Sequence, residues 1–276
     1  MLDKKSTVLL ITALLFTTAG AVNAETVTIA GSGGMIPLLT ALGAAHMKKY
    51  PHDEIQCNPN SITQSGGILA AKTGAVDIGM SARALEVREL SYDIDAYHIA
   101  DVAADVAVHR NVRVTNITSQ QLCAIYSGKI TNWRELGGHN ARIVVLTRPE
   151  SDSTKMAFRA GIPCFRELKE KPEAINMFKS NDMLSALQRT PDAIGIIDSI
   201  ALEQSEGMAR PVRLDGRSSS AKEVSSGRWP VTKRYTLIVG KNRKKAVDRF
   251  MHFIKSREGA ALIRKHNGIP VSFPYP

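Results

Sequence analysis

An α/β chain is what the sequence predicts, on three observations. Short apolar runs, several rich in β-branched residues, recur at Thr26–Ala30, Val76–Ser81, Ile143–Thr147, Asp192–Ile197 and Tyr235–Val239. Between them lie stretches with apolar residues at helical spacing, such as Leu38, Leu39, Leu42 and Ala45. Glycines and hydroxyls mark several of the junctions where strand gives way to helix. Extended runs alternating with helical ones point to α/β lobes.

The first 24 of the 276 residues read as a secretory signal, not as fold. Lys4 and Lys5 are followed by an apolar run from Val8 to Ala19, too short to span a bilayer, and Ala24–Glu25 is the expected cut. No cysteine stands at the cut, which argues against a lipoprotein form. Cleavage leaves 252 residues and, with Lys4, Lys5 and Asp3 gone, takes the formal charge from +10 to +9. A basic exported chain favours anionic partners, and export separates it from nucleic acid. The densest basic run, Lys241 to Lys245, reads as a solvated turn and helix start. The seven histidines are scattered, with no metal-binding spacing, so no metal or cofactor is expected. Among Cys57, Cys123 and Cys164 an oxidising compartment allows one pair and leaves one thiol over. Cys123, in an apolar helical stretch, reads as a buried inert thiol.

Taken in order, Thr26–Ala30 is a strand ending at Gly31-Ser32-Gly33-Gly34-Met35-Ile36-Pro37, with Pro37 in the first turn of the next helix. Three glycines there let backbone approach a ligand or form a nest of N–H groups, but the dinucleotide spacing is missing. Ile55–Pro59 is a second strand; Ser61 to Gly67 leads into a helix from Ile68 to Lys72 with Gly74 as its C-cap. After Val76–Ser81, Ala82–Leu85 opens another helix. His98–Arg110 is a long extended crossover, with Asp101 and Asp105 read as strand-exit and turn residues. Thr118 to Gln121 is a capping box, and Lys129–Gly138 is an ordered loop anchored by Trp133. A helix begins at Ser180 or Asn181, Gly216–Gly227 is a mobile surface loop, and Lys244–Lys265 is amphipathic, burying Val247, Phe250, Ile254, Ala261 and Leu262.

The stretch with the sharpest chemistry is Arg148-Pro149-Glu150-Ser151-Asp152-Ser153-Thr154, between the Ile143–Thr147 strand and a short helix. An arginine facing hydroxyls at a helix start makes an oxyanion clamp, from forked donors plus free N–H groups and the helix dipole. With the junctions at Gly33 and Ser65 it suggests helix N-termini converging on one anion. Asp152 conflicts with that, being a carboxylate where the anion would sit.

These residues resemble the periplasmic phosphate-binding proteins of ABC transporters over nearly the whole mature chain. Tyr126-Ser127-Gly128-Lys129-Ile130-Thr131-Asn132-Trp133-Arg134-Glu135-Leu136-Gly137-Gly138 looks like the family's signature loop. Ser65–Ile68 with Asp77–Arg83, Asp192–Ile197 and Ser256–Gly259 resemble further family segments. The resemblance implies a two-lobed periplasmic binding protein fold of type II, with the ligand cleft between lobes and two crossover hinge strands, near 100–106 and 230–236. It places lobe 1 at 25–104 and 236–276 and lobe 2 at 105–235. The ligand set it implies is Gly33, Gly34 and Met35; Gln64, Ser65 and Gly66; and Arg148, Asp152, Ser153 and Thr154. It further implies a monomeric, non-enzymatic protein that captures inorganic phosphate and delivers it to the membrane subunits of an ABC permease.

Three departures bear on the ligand. Met35 can offer only its N–H, Ala82 stands where one family pattern has an aspartate, and Asp152 stands where the family has a ligand hydroxyl. Asp152 then has two readings: the acceptor that replaces the one lost at Ala82 and repels unprotonated oxyanions, or an N-cap serving its own helix. The alternatives in function are another oxyanion or small anionic solute on the same fold, or a secreted phosphoester hydrolase, signalling or adhesion protein. No serine has the G-x-S-x-G context of an α/β-hydrolase nucleophile.

Overall fold

The computed structural model describes residues 25–276, so the signal-sequence expectation for 1–24 lies outside the described residues. Strands β1 (Glu25–Gly31), β2 (Asp53–Cys57) and β3 (Ile78–Ser81) pair in parallel, joined by helices α1 (Ile36–Lys49) and α2 (Gln64–Thr73). Then come β4 (Ile94–His109), α3 (Ser119–Tyr126), β5 (Val144–Thr147), α4 (Ser153–Gly161), β6 (Ile175–Asn176), α5 (Ser180–Arg189) and β7 (Ala193–Asp198). β8 (Thr232–Gly240) returns to the middle, giving the order β2-β1-β3-β8-β4-β7-β5-β6. β8 is antiparallel to β3 and β4, β4 is antiparallel to β7, and β5 is parallel to β7 and β6. Among the described residues no helix is long and apolar enough to cross a membrane.

β4 and β8 carry the chain from one half of the molecule to the other. β4 has 16 residues, about 50 Å at a rise of ~3.3 Å per residue. Its Val102–His109 segment is buried throughout, as a strand covered on both faces must be. Two cores meet on these strands. One holds Val27, Leu39, Met80, Val102, Leu237 and Phe250; the other holds Ala103, Val106, Tyr126, Trp133, Phe158 and Val231. The changeover falls between Val102 and Ala103 on β4 and between Val231 and Tyr235 around the start of β8, with Ile200 joining the first core from the far half. The β4–β8 register slips between Tyr235 and Thr236, opposite Ala100 and His98. A smaller cluster of Ala107, Leu146, Met183 and Leu187 lies under α5.

Several local expectations change, each for a visible reason. The second strand runs Asp53–Cys57 rather than to Pro59. α2 starts at Gln64, not Ile68, because Thr63 caps it through a bond from the Gly66 N–H (3.2 Å). No helix forms at Ala82–Leu85: Arg83 forks onto Glu89 at 2.7 and 2.8 Å and holds the segment as a loop. Asp101 and Asp105 lie inside β4 rather than at a strand exit or turn. Gly216–Gly227 contains a short helix, Ala221–Ser225, capped by Ser220 and anchored by buried Val224. Lys244–Lys265 is two helices, Lys245–Lys255 and Arg257–Lys265, split at Ser256, which caps the second. The break rotates the apolar face, so Ile263 is buried where Ala261 and Leu262 were expected. Cys123 is not a free thiol: it is bonded to Cys164, tying α3 to the turn after α4. Cys57 is the one left over, and burial pushes its thiol pKa up.

Candidate functional site

Strand ends and helix starts leave a cavity of about 450 Å³ between the two halves. On the near wall, Ser32 and Gly33 come from the turn after β1, and Ser61, Thr63, Gln64 and Ser65 from the entry to α2. On the far wall, Arg148, Pro149, Ser151, Asp152 and Ser153 come from the β5–α4 junction. Phe178, Lys179 and Ser180 come from the entry to α5. Four helical N-termini therefore face one space, counting the 3-10 turn Gly33–Met35. Such ends present unpaired N–H groups and a partial positive charge. Among the described residues no group of three or more His, Cys, Asp or Glu is placed to hold a metal.

The near wall is built for close approach. A Cβ on Gly33 would lie 3.1 Å from Ser61 Cβ and 3.4 Å from Ser180 Oγ, a tight fit that a side chain could take only if those serines gave way by a few tenths of an ångström. Thr63 sits at φ +67°, a left-handed conformation unfavourable for a β-branched residue, and that turn sets the cap of α2. Gln64 spans the cleft, its Nε2 donating to the Ser151 carbonyl at 3.1 Å.

Charge belongs to the far wall. Arg148 is 4% exposed. Its Nη2 donates to Asp152 Oδ2 at 2.6 Å, while its Nε and Nη1 are buried with no hydrogen-bond partner among the described residues. Gln64 Oε1 is in the same condition. Lys155 fixes the arginine from behind, donating to Thr147 Oγ1 (2.8 Å) and the Arg148 carbonyl (3.3 Å) while paired with Glu170. Asp152 caps α4, its Oδ1 accepting from Thr154 N (2.9 Å) and Lys155 N (3.3 Å). Burial opposes its ionisation, but the Arg148 bond and charge, the Lys233 charge and the Lys155 N–H together hold its carboxyl below the usual range. Of the two readings of Asp152, its contacts are those of the N-cap, with Arg148 as counterion.

Behind this wall Lys233 on β8 pairs with Asp198 at the end of β7 (2.6 Å) and donates to Thr154 Oγ1 (3.1 Å). Asp105 on β4 faces Asp198, with no cation paired to it among the described residues. Burial pushes its carboxyl up to about 7, against a Ser219 hydrogen bond and with the Asp198 charge adding to the rise.

Of the residues expected at the site, Gly33, Gln64, Ser65, Arg148, Asp152 and Ser153 line the cavity. The other four stand behind it. Gly34 packs on Asp198, whose Oδ2 would lie 1.9 Å from any Cβ there, and its carbonyl accepts from Tyr235 Oη at 2.7 Å. Met35 is fully buried in the first core and its N–H, the one group it was expected to offer, donates to the Ser32 carbonyl (3.1 Å). The Gly66 N–H is committed to Thr63, and Thr154 is turned toward Lys233 and Asp152. Ala82 is buried in the first core. Ser180 was absent from the expected set, although a hydroxyl at a helix start, the signal used elsewhere, was present. Lys233 and Asp198 gave no such signal; only the sheet brings them together.

Four similarities to known proteins bear on this arrangement. The sequence profile of the PBP superfamily domain matches residues 17–258. The Bacillus subtilis phosphate-binding protein PstS is 29% identical over 252 residues, covering 89% of this chain and 80% of that protein. A crystal structure from Clostridium perfringens, described as a phosphate ABC transporter substrate-binding protein with bound phosphate, is 29% identical with a TM-score of 0.80, covering 90% of this chain and all of that one. An ABC-type phosphate transport receptor from Vibrio cholerae, 23% identical with a TM-score of 0.64, covers 88% of this chain and 99% of its own and shares the fold. With the profile spanning most of its length and the two-lobed α/β architecture in common, this chain belongs to the PBP superfamily.

Proposed function

We propose that the protein is a solute-binding protein that captures inorganic phosphate in the cleft and delivers it to the membrane subunits of an ABC permease. The observation that carries this reading is Arg148: a guanidinium 4% exposed, lining the cavity, with two N–H groups unpartnered. Buried N–H donors left without partners are costly unless an acceptor meets them, and forked donors with helix N-termini suit a tetrahedral oxyanion. The names of the relatives supply the choice of phosphate.

In this reading lobe 1 is 25–104 with 236–276, and lobe 2 is 105–235. β4 and β8 act as the hinge, and ligand stabilises the closed form. The chain is exported after cleavage near Ala24, works as a monomer and has no turnover of its own. The Gln64–Ser151 bond across the cleft supports closure as the lobes' resting contact.

A thermal-shift panel of phosphate, sulfate, molybdate, arsenate and sugar phosphates tests the ligand. At ~100 times its dissociation constant a bound ligand adds about 2.7 kcal/mol to stability. Phosphate should raise the midpoint most. A panel in which phosphate does nothing while another anion shifts the midpoint assigns the site to that anion instead.

A further inference from the structure

Asp152 occupies the place and the donors that an incoming oxyanion needs. Its Oδ2 takes one edge of the Arg148 guanidinium at 2.6 Å, and its Oδ1 takes the N–H groups of Thr154 and Lys155 at the α4 N-terminus. Its side chain is 16% exposed and lines the same cavity. The remaining donors of Arg148, Nε and Nη1, are buried and unpartnered among the described residues, so an oxyanion that meets them shares one guanidinium with a carboxylate already in place. Behind them the Lys233 charge is matched by Asp198. The three buried cations of the far wall, Arg148, Lys155 and Lys233, thus each have a carboxylate of their own, and an anion entering beside Arg148 meets a guanidinium whose charge is already matched.

We propose that Asp152 is a built-in counter-anion, which competes with the free oxyanion for Arg148 and sets the affinity of the site. The proposal rests on the phosphate reading above and deepens it. Without Asp152 the guanidinium would offer its full fork; with it, bound oxyanion must displace the carboxylate or lie against it. A cap that served only the helix would be indifferent to ligand.

The test compares phosphate binding by calorimetry in the wild type, Asp152→Asn and Asp152→Ser. Amide and hydroxyl oxygens both cap helices well, so each variant keeps the α4 N-terminus while losing the charge; circular dichroism checks the fold. Both variants should bind phosphate at least tenfold more tightly than wild type, or bind it where the wild type shows no heat. Wild-type binding as tight as, or tighter than, that of both variants overturns the proposal and leaves the phosphate reading standing. No phosphate binding by any of the three folded proteins overturns both. If a variant does not fold, the wild type suffices: the ¹³C carboxyl resonance of Asp152 should move on saturation with phosphate. A resonance unmoved at saturation overturns the competition.

Discussion

Gly33, Ser61, Thr63, Gln64 and Ser65 give the near wall of the cleft only backbone, hydroxyls and one amide, whereas Arg148, Asp152 and Lys179 put the cavity's charges on the far wall. The near wall can recognise shape and hydrogen-bonding capacity; the far wall decides sign. The far wall is also the more heavily braced. Lys155 bonds the backbone and hydroxyl groups around Arg148, and the Cys123–Cys164 bond ties down the turn that follows α4. Arg159 forks onto Glu150 at 2.6 Å on both arms. The near wall rests on a cap at Thr63 and on close glycine packing.

The division can be broken most sharply at Arg148. Arg148→Ala should weaken phosphate binding by about a hundredfold or more, since charge-assisted hydrogen bonds contribute ~1.5–3 kcal/mol each. It also strips Asp152 of its counterion, so its carboxyl should titrate higher. Calorimetry and a carboxyl titration read the two effects separately; binding that survives the substitution would move the sign-determining role off this wall.

Asp105 tests whether the charged side extends to the hinge. With its carboxyl pushed up to about 7, the native state keeps a proton that the unfolded chain releases at its ordinary carboxylate value. Between those values the native state holds more protons, so this group's contribution to stability falls as pH rises from about 4 to 7 and is flat above. Asp105→Asn should remove that slope and stabilise the protein at pH 8 by on the order of 1–2 kcal/mol, less than the full linkage because an amide leaves an unpaired polar group in the same dry place. Urea unfolding at pH 5 and pH 8 measures it; an unchanged difference between the two pH values would show that Asp105 is not the group responsible.

The smallest effect is expected on the neutral side. Gln64→Ala removes one cross-cleft bond and one buried amide oxygen, which should weaken phosphate binding only a few-fold, about 1 kcal/mol. A loss as large as that at Arg148 would erase the distinction between the walls.

Much of the architecture is legible in the sequence. The long crossover at His98–Arg110 became β4, the Thr118–Gln121 box closed with bonds of 2.8 and 3.0 Å, and Trp133 anchors its loop by donating Nε1–H to the Asp192 carbonyl at 3.0 Å. These depend on neighbours in sequence or on strong burial. The same local logic brought Gly33, Ser65 and Arg148 to one cavity, because a hydroxyl or glycine before a helix leaves the same N–H groups exposed wherever it occurs.

What the sequence by itself determined was thus most of the strands, some helix starts such as those at Ser119 and Ser180, and the candidate anion donors, since periodicity and capping are short-range. Which donors remain free was decided only by the tertiary structure. Met35 and Gly66 spend their N–H groups on Ser32 and Thr63, and Lys233 meets Asp198 only because β8 returns beside β4. Asp152 shows the limit most clearly. Its position announced a negative charge at an anion site, but whether that charge would face the ligand or its own helix depended on where Arg148 and the α4 N–H groups pointed, and direction is a property of the packed chain.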